Sequence, residues 1–180
     1  MIAAQDHQSS AKLDSRQLDH RYEGLLKVTG PKGKRTVPIG DFHRLPGTTP
    51  ELDTNLKPDE LITAVELPVP KFAKHSYYLK VRDRQSYAFA LVSVAAGLEM
   101  DGNTIKSAGL ALGGVAHKRW RSSDAEKSLI GATPGPEAFQ RAANFAVSGA
   151  EPHQDNAFKV ELAKQSIVRA LTLAAQGVQA

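Results

Sequence analysis

Between Val92 and Glu99 the chain alternates strictly: Val92, Val94, Ala96 and Leu98 are apolar, while Ser93, Ala95, Gly97 and Glu99 are small or polar. A period of two predicts a strand with one buried face. Asp101-Gly102-Asn103 supplies a turn, and TIKSAGLALGG returns from it. The preceding HSYYLKVR places Tyr77, Leu79 and Val81 on one side, so residues 76–113 read as an antiparallel meander. The period then changes. Ser122-Ser123-Asp124 caps a short helix ending near Gly131, and Pro136 occupies the first position of a helix through Val147, closed by Gly149. A last helix covers about 156–176, with Val160, Ala163, Ile167, Ala170, Leu171 and Ala174 at helical spacing.

The front of the chain is shorter-ranged. YEGLLKV and KRTVPI flank GPKG and predict a hairpin that Asp41-Phe42 ends. The stretch 43–61, HRLPGTTPELDTNLKPDEL, holds three prolines and three threonines and predicts a long loop. LITAVEL (61–67) reads as a strand stopped by Pro68-Val69-Pro70, a boundary between two lobes. Residues 1–22 show no sustained period and read as a flexible tail. The organisation predicted is a tail (1–22), a first lobe (23–71) and a second lobe (72–178). Strands followed by helices define an α+β chain, the second lobe being a three-stranded antiparallel sheet packed with three helices.

Composition narrows the chemistry. The 180 residues carry a net charge of +4 and 41% hydrophobic residues, enough for one ordinary domain or two small ones. The cations are scattered, which argues against a nucleic-acid stripe. With no cysteine, the chain itself offers no disulfide and no thiolate ligand for zinc or an iron–sulfur cluster. No apolar run approaches the roughly 20 residues of a membrane-spanning helix, and the first residues lack the pattern of a cleavable export signal. His43, His75, His117 and His153 fall in separate loops without metal-ligand spacing. Gly113-Gly114 follows a strand but belongs to neither a GxGxxG nor a GxxxxGK motif, so a backbone turn is its simplest role. Glu51, Asp53, Asp59 and Glu60 read as solvated loop carboxylates. Arg82, Asp83 and Arg84 form either a solvated loop or a loop held over a ligand.

Two blocks carry more than their chemistry does: PGTTPELDTNLKPDELITAVELPVP, and YLKVRDRQSYAFALVSVAAGLEMDGNTIKSAGLALGGVAHKRWRSSDAEKSLIG. Together they resemble the flavoprotein subunit of the molybdenum hydroxylases, the xanthine dehydrogenase, aldehyde oxidoreductase and carbon monoxide dehydrogenase family. The resemblance runs over roughly residues 23 to 176 and is strongest to the bacterial aldehyde oxidoreductase branch. It implies that 23–71 is the end of a two-part FAD-binding domain and 72–178 the family's C-terminal domain. It also implies FAD as cofactor, with the molybdenum cofactor and iron–sulfur clusters confined to a molybdopterin-binding large subunit and a [2Fe-2S] small subunit.

Carried over residue by residue, the resemblance assigns flavin contacts to Arg82, Tyr87, Ala88, Phe89 and Lys106, and no catalytic or metal-binding residue. For Phe89 the competing role is a core aromatic, and for Lys106 a solvated strand lysine. The glycine-rich AGGT-like and TIGGN-like loops that grip the FAD diphosphate in the family do not occur here. The chain therefore reads as an N-terminally truncated FAD-binding subunit, inactive in isolation, that passes electrons from iron–sulfur clusters through FAD to an external acceptor. The alternative is a catalytically silent assembly module that has lost flavin. Neither nucleic acid nor membrane is implied as a partner. The implied compartment is the cytoplasm, or the periplasm through an export signal borne by a partner.

Overall fold

The computed structural model describes residues 24–177, which divide into two units, 24–70 and 71–177. In 24–70, β1 (Leu25–Gly30) and β2 (Gly33–Pro38) form the expected hairpin, and β3 (Leu61–Glu66) adds to the other side of β1, giving the order β2-β1-β3. Register explains the small core. Leu26 pairs with both Val37 and Val65, so these three share a face, as do Val28 and Ile62. Leu26, Val28 and Val37 are buried there under Ile39, Phe42 and Leu56. Ile39 and Phe42 bound a single helical turn, α1 (Ile39–Phe42), where the sequence suggested only an end to the hairpin.

Apart from one isolated bridge between His43 and Thr54, residues 43–60 carry no regular pairing, as their breakers predict. They are nonetheless pinned. The Arg35 guanidinium donates to both oxygens of Glu60 at 2.7 and 2.6 Å and to the Asn55 carbonyl at 2.8 Å. The backbone N–H of Lys57 donates to Glu60 Oε2 at 2.8 Å, and that of Asn55 to the Phe42 carbonyl at 2.8 Å. Glu60 is thus a tethered carboxylate, not a merely solvated one. The Arg35 hydrogen bonds first, and the Lys57 N–H second, lower its pKa from 4.5 to about 2.

In 71–177, β4 (Ser76–Val81), β5 (Val92–Asp101), β6 (Thr104–Gly113) and β7 (Trp120–Arg121) form an antiparallel sheet in chain order. The helices are α2 (Ser123–Leu129), α3 (Pro136–Ala146) and α4 (Phe158–Gln176). Three long strands were legible; β7, two residues long, is a fourth. Where β7 stops, Glu126 takes over its role. Its Oε1 accepts from the Leu110 N–H of β6 at 2.9 Å and from Arg121 Nε at 2.5 Å, while Oε2 accepts from Arg121 Nη2 at 2.8 Å. A carboxylate held by a two-point arginine thus satisfies a strand N–H that a longer β7 would have paired.

The main core lies between sheet and helices: Val92, Val94, Ala96 and Leu98 of β5 meet Leu110 of β6, Leu129 of α2, Phe139 of α3, and Ile167 and Leu171 of α4. The other face of β5 departs from the half-buried expectation, because Ser93 and Ala95 are buried too. Phe72 and Tyr78 pack with Ala95, and a Cβ at Gly97 would lie 2.8 Å from the Phe72 side chain. Small residues on this face admit an aromatic cover, which is why their alternation looked solvent-facing in sequence. The helix ends follow their signals. Ser122 Oγ accepts from the Ala125 N–H, Pro136 opens α3, and Trp120 Nε1 donates to the Ala146 carbonyl at 2.7 Å where α3 ends.

Candidate functional site

The charged segment joining β4 to β5 stands at one end of this sheet. Its root is fixed by the Val81–Val92 pairing and by the Leu91 N–H donating to the Val81 carbonyl at 2.8 Å. Beyond the root, Arg82 through Tyr87 are exposed and Ala88 is partly buried. Tyr87 is 87% exposed and Phe89 62% exposed, so neither ring is spent on the core. Phe89 is therefore not a core aromatic of the 71–177 unit. Tyr87 also has φ +50°, a left-handed conformation that costs a non-glycine residue about 1 kcal/mol or more. The Arg84 guanidinium donates to the Tyr87 carbonyl at 2.5 Å and stabilises that bend. The loop presents two bare aromatic rings, with the Arg82 cation on the same short segment.

The turn after β6 reaches the same end. Gly113 pairs with Ser93, and Gly114 follows with φ +72°. A Cβ on Gly114 would stand 2.9 Å from the Ala90 carbonyl oxygen and 3.2 Å from that of Leu91, so glycine is required both by conformation and by proximity. The turn role expected for this pair is what it plays, and it abuts the root of the aromatic loop.

Lys106 is placed elsewhere. It lies near the opposite end of β6, and the seven residue-to-residue steps from Val92 to Glu99 on the neighbouring β5 span roughly 23 Å of strand. Its ammonium donates to Glu99 Oε1 at 2.7 Å, and Ser107 Oγ donates to Glu99 Oε2 at 2.7 Å. The Lys106 and Ser107 hydrogen bonds lower the Glu99 pKa, and the Glu99 hydrogen bond raises that of Lys106. Arg82, Tyr87, Ala88 and Phe89 are thus brought together, and Lys106 is not among them. Sequence reading placed Arg84 in the charged loop but gave it no role as the tether of the bend, and it passed over Lys159, whose Nζ donates to the Gly114 carbonyl at 3.1 Å. A signal for Lys159 was present: it stands one helical turn before Ala163, on the apolar stripe of α4.

A two-layer α+β unit with an exposed aromatic loop at one sheet end, in a chain that also carries a separate small β unit, is the class of protein that fold and site define. Residues 77–174 match the family model described as the CO dehydrogenase flavoprotein C-terminal domain, and the chain belongs to that family. It is 42% identical over 166 residues to the aldehyde oxidoreductase FAD-binding subunit PaoB of Escherichia coli (strain K12), covering 92% of this chain and 48% of that protein. It is 33% identical over 148 residues to the glyceraldehyde dehydrogenase medium chain of Sulfolobus acidocaldarius, covering 82% of this chain and 50% of that one. Among solved structures, a chain of the quinoline 2-oxidoreductase of Pseudomonas putida 86 superimposes with a TM-score of 0.74 at 27% identity, covering 91% of this chain and 54% of that chain. The chain thus spans about half the length of the curated relatives it matches. Among the described residues, no helix is long and apolar enough to cross a membrane.

Proposed function

We propose that the end of the 71–177 unit bearing Arg82–Phe89 is one wall of an FAD site, in a flavin-binding subunit of a molybdenum hydroxylase-type oxidoreductase. The observation that carries this reading is the pair of exposed rings, Tyr87 and Phe89, on a loop whose bend Arg84 holds. The donor set fits such a group: aromatic faces cover a planar ring and exclude water from it, while a cation beside them favours negative charge on it. FAD, when bound, would supply the electron-accepting ring system. Arg82 balances charge at the ring, Tyr87 and Phe89 shield it, and Ala88 keeps the backbone between them close. Lys106, paired with Glu99 far from this end of the sheet, is a flavin contact only as the family resemblance assigns it. The partners in this reading are the molybdopterin-binding and [2Fe-2S] subunits, which deliver electrons for transfer to an external acceptor.

The diphosphate-gripping loops of the family do not occur in this sequence. Several charge-assisted hydrogen bonds of roughly 1.5–3 kcal/mol each are then missing, which weakens binding by several orders of magnitude. FAD titrated into the full chain, followed by quenching of flavin fluorescence, should not saturate at low micromolar concentration. Adding a polypeptide that corresponds to the N-terminal half of the relatives should restore saturation, and Tyr87→Ala/Phe89→Ala should weaken the restored binding at least tenfold, about one lost stacking contact. Tight stoichiometric binding by the chain alone, or restored binding indifferent to the double substitution, overturns the reading.

A further inference from the structure

Lys159 is an expensive residue. It is 6% exposed, it occupies the second position of α4, and burial lowers its pKa. A cation in the first turn of a helix opposes the helix dipole, so α4 gains nothing from it. Burying an ammonium is unfavourable unless a hydrogen bond compensates. Its ammonium makes one hydrogen bond among the described residues, to the Gly114 carbonyl, 45 positions away in sequence. Gly114 in turn sits against the Ala90 and Leu91 carbonyls, at the foot of the Arg82–Phe89 loop. A continuous line of contacts runs from the helical layer, through a left-handed glycine, to the segment carrying Tyr87 and Phe89.

We infer that Lys159 is a positioning residue for this loop: its ammonium clamps the Gly113-Gly114 turn, and the clamped turn sets where the aromatic loop leaves the sheet. The consequence for cofactor binding rests on the flavin reading above; the clamp itself does not. The geometry also separates positioning from simple stability. Replacing the buried ammonium by an apolar side chain of similar length removes a desolvation cost that offsets the lost hydrogen bond. Lys159→Met should therefore leave the thermal midpoint of the full chain unchanged or raised, while freeing the turn. A side chain whose only role was structural would move the midpoint and the loop together.

The test is hydrogen–deuterium exchange of the full chain, resolved to peptides covering 82–91 and 113–117, alongside thermal unfolding. Lys159→Met should raise exchange in both segments about tenfold, the effect of one ordinary lost hydrogen bond, with the midpoint unchanged or raised. Lys159→Gln, which keeps a donor without the charge, should recover part of the protection. Should the methionine variant fail to fold, Lys159→Gln carries the test on its own, and exchange in 82–91 should still rise above that of the unsubstituted chain. Unchanged exchange in 82–91 in a folded Lys159→Met overturns the clamp, whatever FAD does. The flavin reading fails separately, if the tyrosine and phenylalanine substitutions leave restored FAD binding intact while the Lys159 variants loosen the loop.

Discussion

The two units of this chain are held by different forces. The 71–177 unit buries both faces of β5, with Val92, Val94, Ala96 and Leu98 against the helices and Ala95 under Phe72. The 24–70 unit buries only Leu26, Val28 and Val37 as its apolar core, and every residue of β3 is exposed, Leu61 and Val65 among them. What organises its irregular half is polar: Arg35 and Glu60, with the Asn55 and Lys57 backbone recruited around them. Apolar burial scales with area and tolerates acid, whereas a hydrogen-bonded carboxylate is lost when it is protonated. The same perturbation should therefore read very differently in the two units.

The largest effect is expected from truncating the shared core of sheet and helices. Leu98 is fully buried, and Leu98→Ala should destabilise the 71–177 unit by about 2–5 kcal/mol, through lost transfer energy and the cavity left behind. Urea unfolding followed by segment-resolved hydrogen exchange would show the loss in 71–177 and native protection in 24–70. Equal loss of protection in both units would break the comparison.

Acid should act the other way round. The folded-state pKa of Glu60 lies at about 2, below the ordinary 4.5. A depressed pKa contributes stability in full above about 4.5, and that contribution drains as pH falls from there towards about 2. Pulsed exchange across this window should loosen residues 43–60 while the β5–β6 core stays protected. Glu60→Gln should show the loosened loop already at neutral pH, with little further change on acidification. If 43–60 and the β5–β6 core loosen together, the polar tether is not what distinguishes the first unit.

Much of this division was readable before any coordinates, but unevenly. Period-two alternation at 92–98 and helical spacing at 160–174 located the layers of 71–177, because burial selects residues by position in a repeating geometry. The hairpin at 25–38 announced itself through its glycines. Contacts between residues far apart in sequence left no such trace. Arg35 and Glu60 are 25 positions apart, and nothing local distinguishes a tethered glutamate from a solvated one. Gly97 and Phe72 hid the second buried face of β5, since alternating small residues look alike whether water or a ring covers them. In the candidate site, the family resemblance pointed to the 82–89 segment, whereas the exposure of its rings and the left-handed Tyr87 could be read only from the folded chain.

The smallest effect sharpens the contrast. Lys106 and Glu99 make an ion pair at 2.7 Å, similar in chemistry to that of Arg35 and Glu60, but on the unit that burial already holds. Exposed pairs of this kind contribute little to stability, because water competes for both partners and salt screens them. Lys106→Ala should leave the thermal midpoint of the 71–177 unit within measurement error, in contrast to the loosening expected from Glu60→Gln in 24–70. The same variant also weighs the distant flavin contact assigned to Lys106, since stability and binding are then read independently. With FAD binding restored by the N-terminal half of the relatives, weakened affinity at an unchanged midpoint supports that contact. Unchanged affinity reduces Lys106 to a solvated strand lysine whose partner is Glu99, and leaves the flavin wall to Arg82, Tyr87, Ala88 and Phe89.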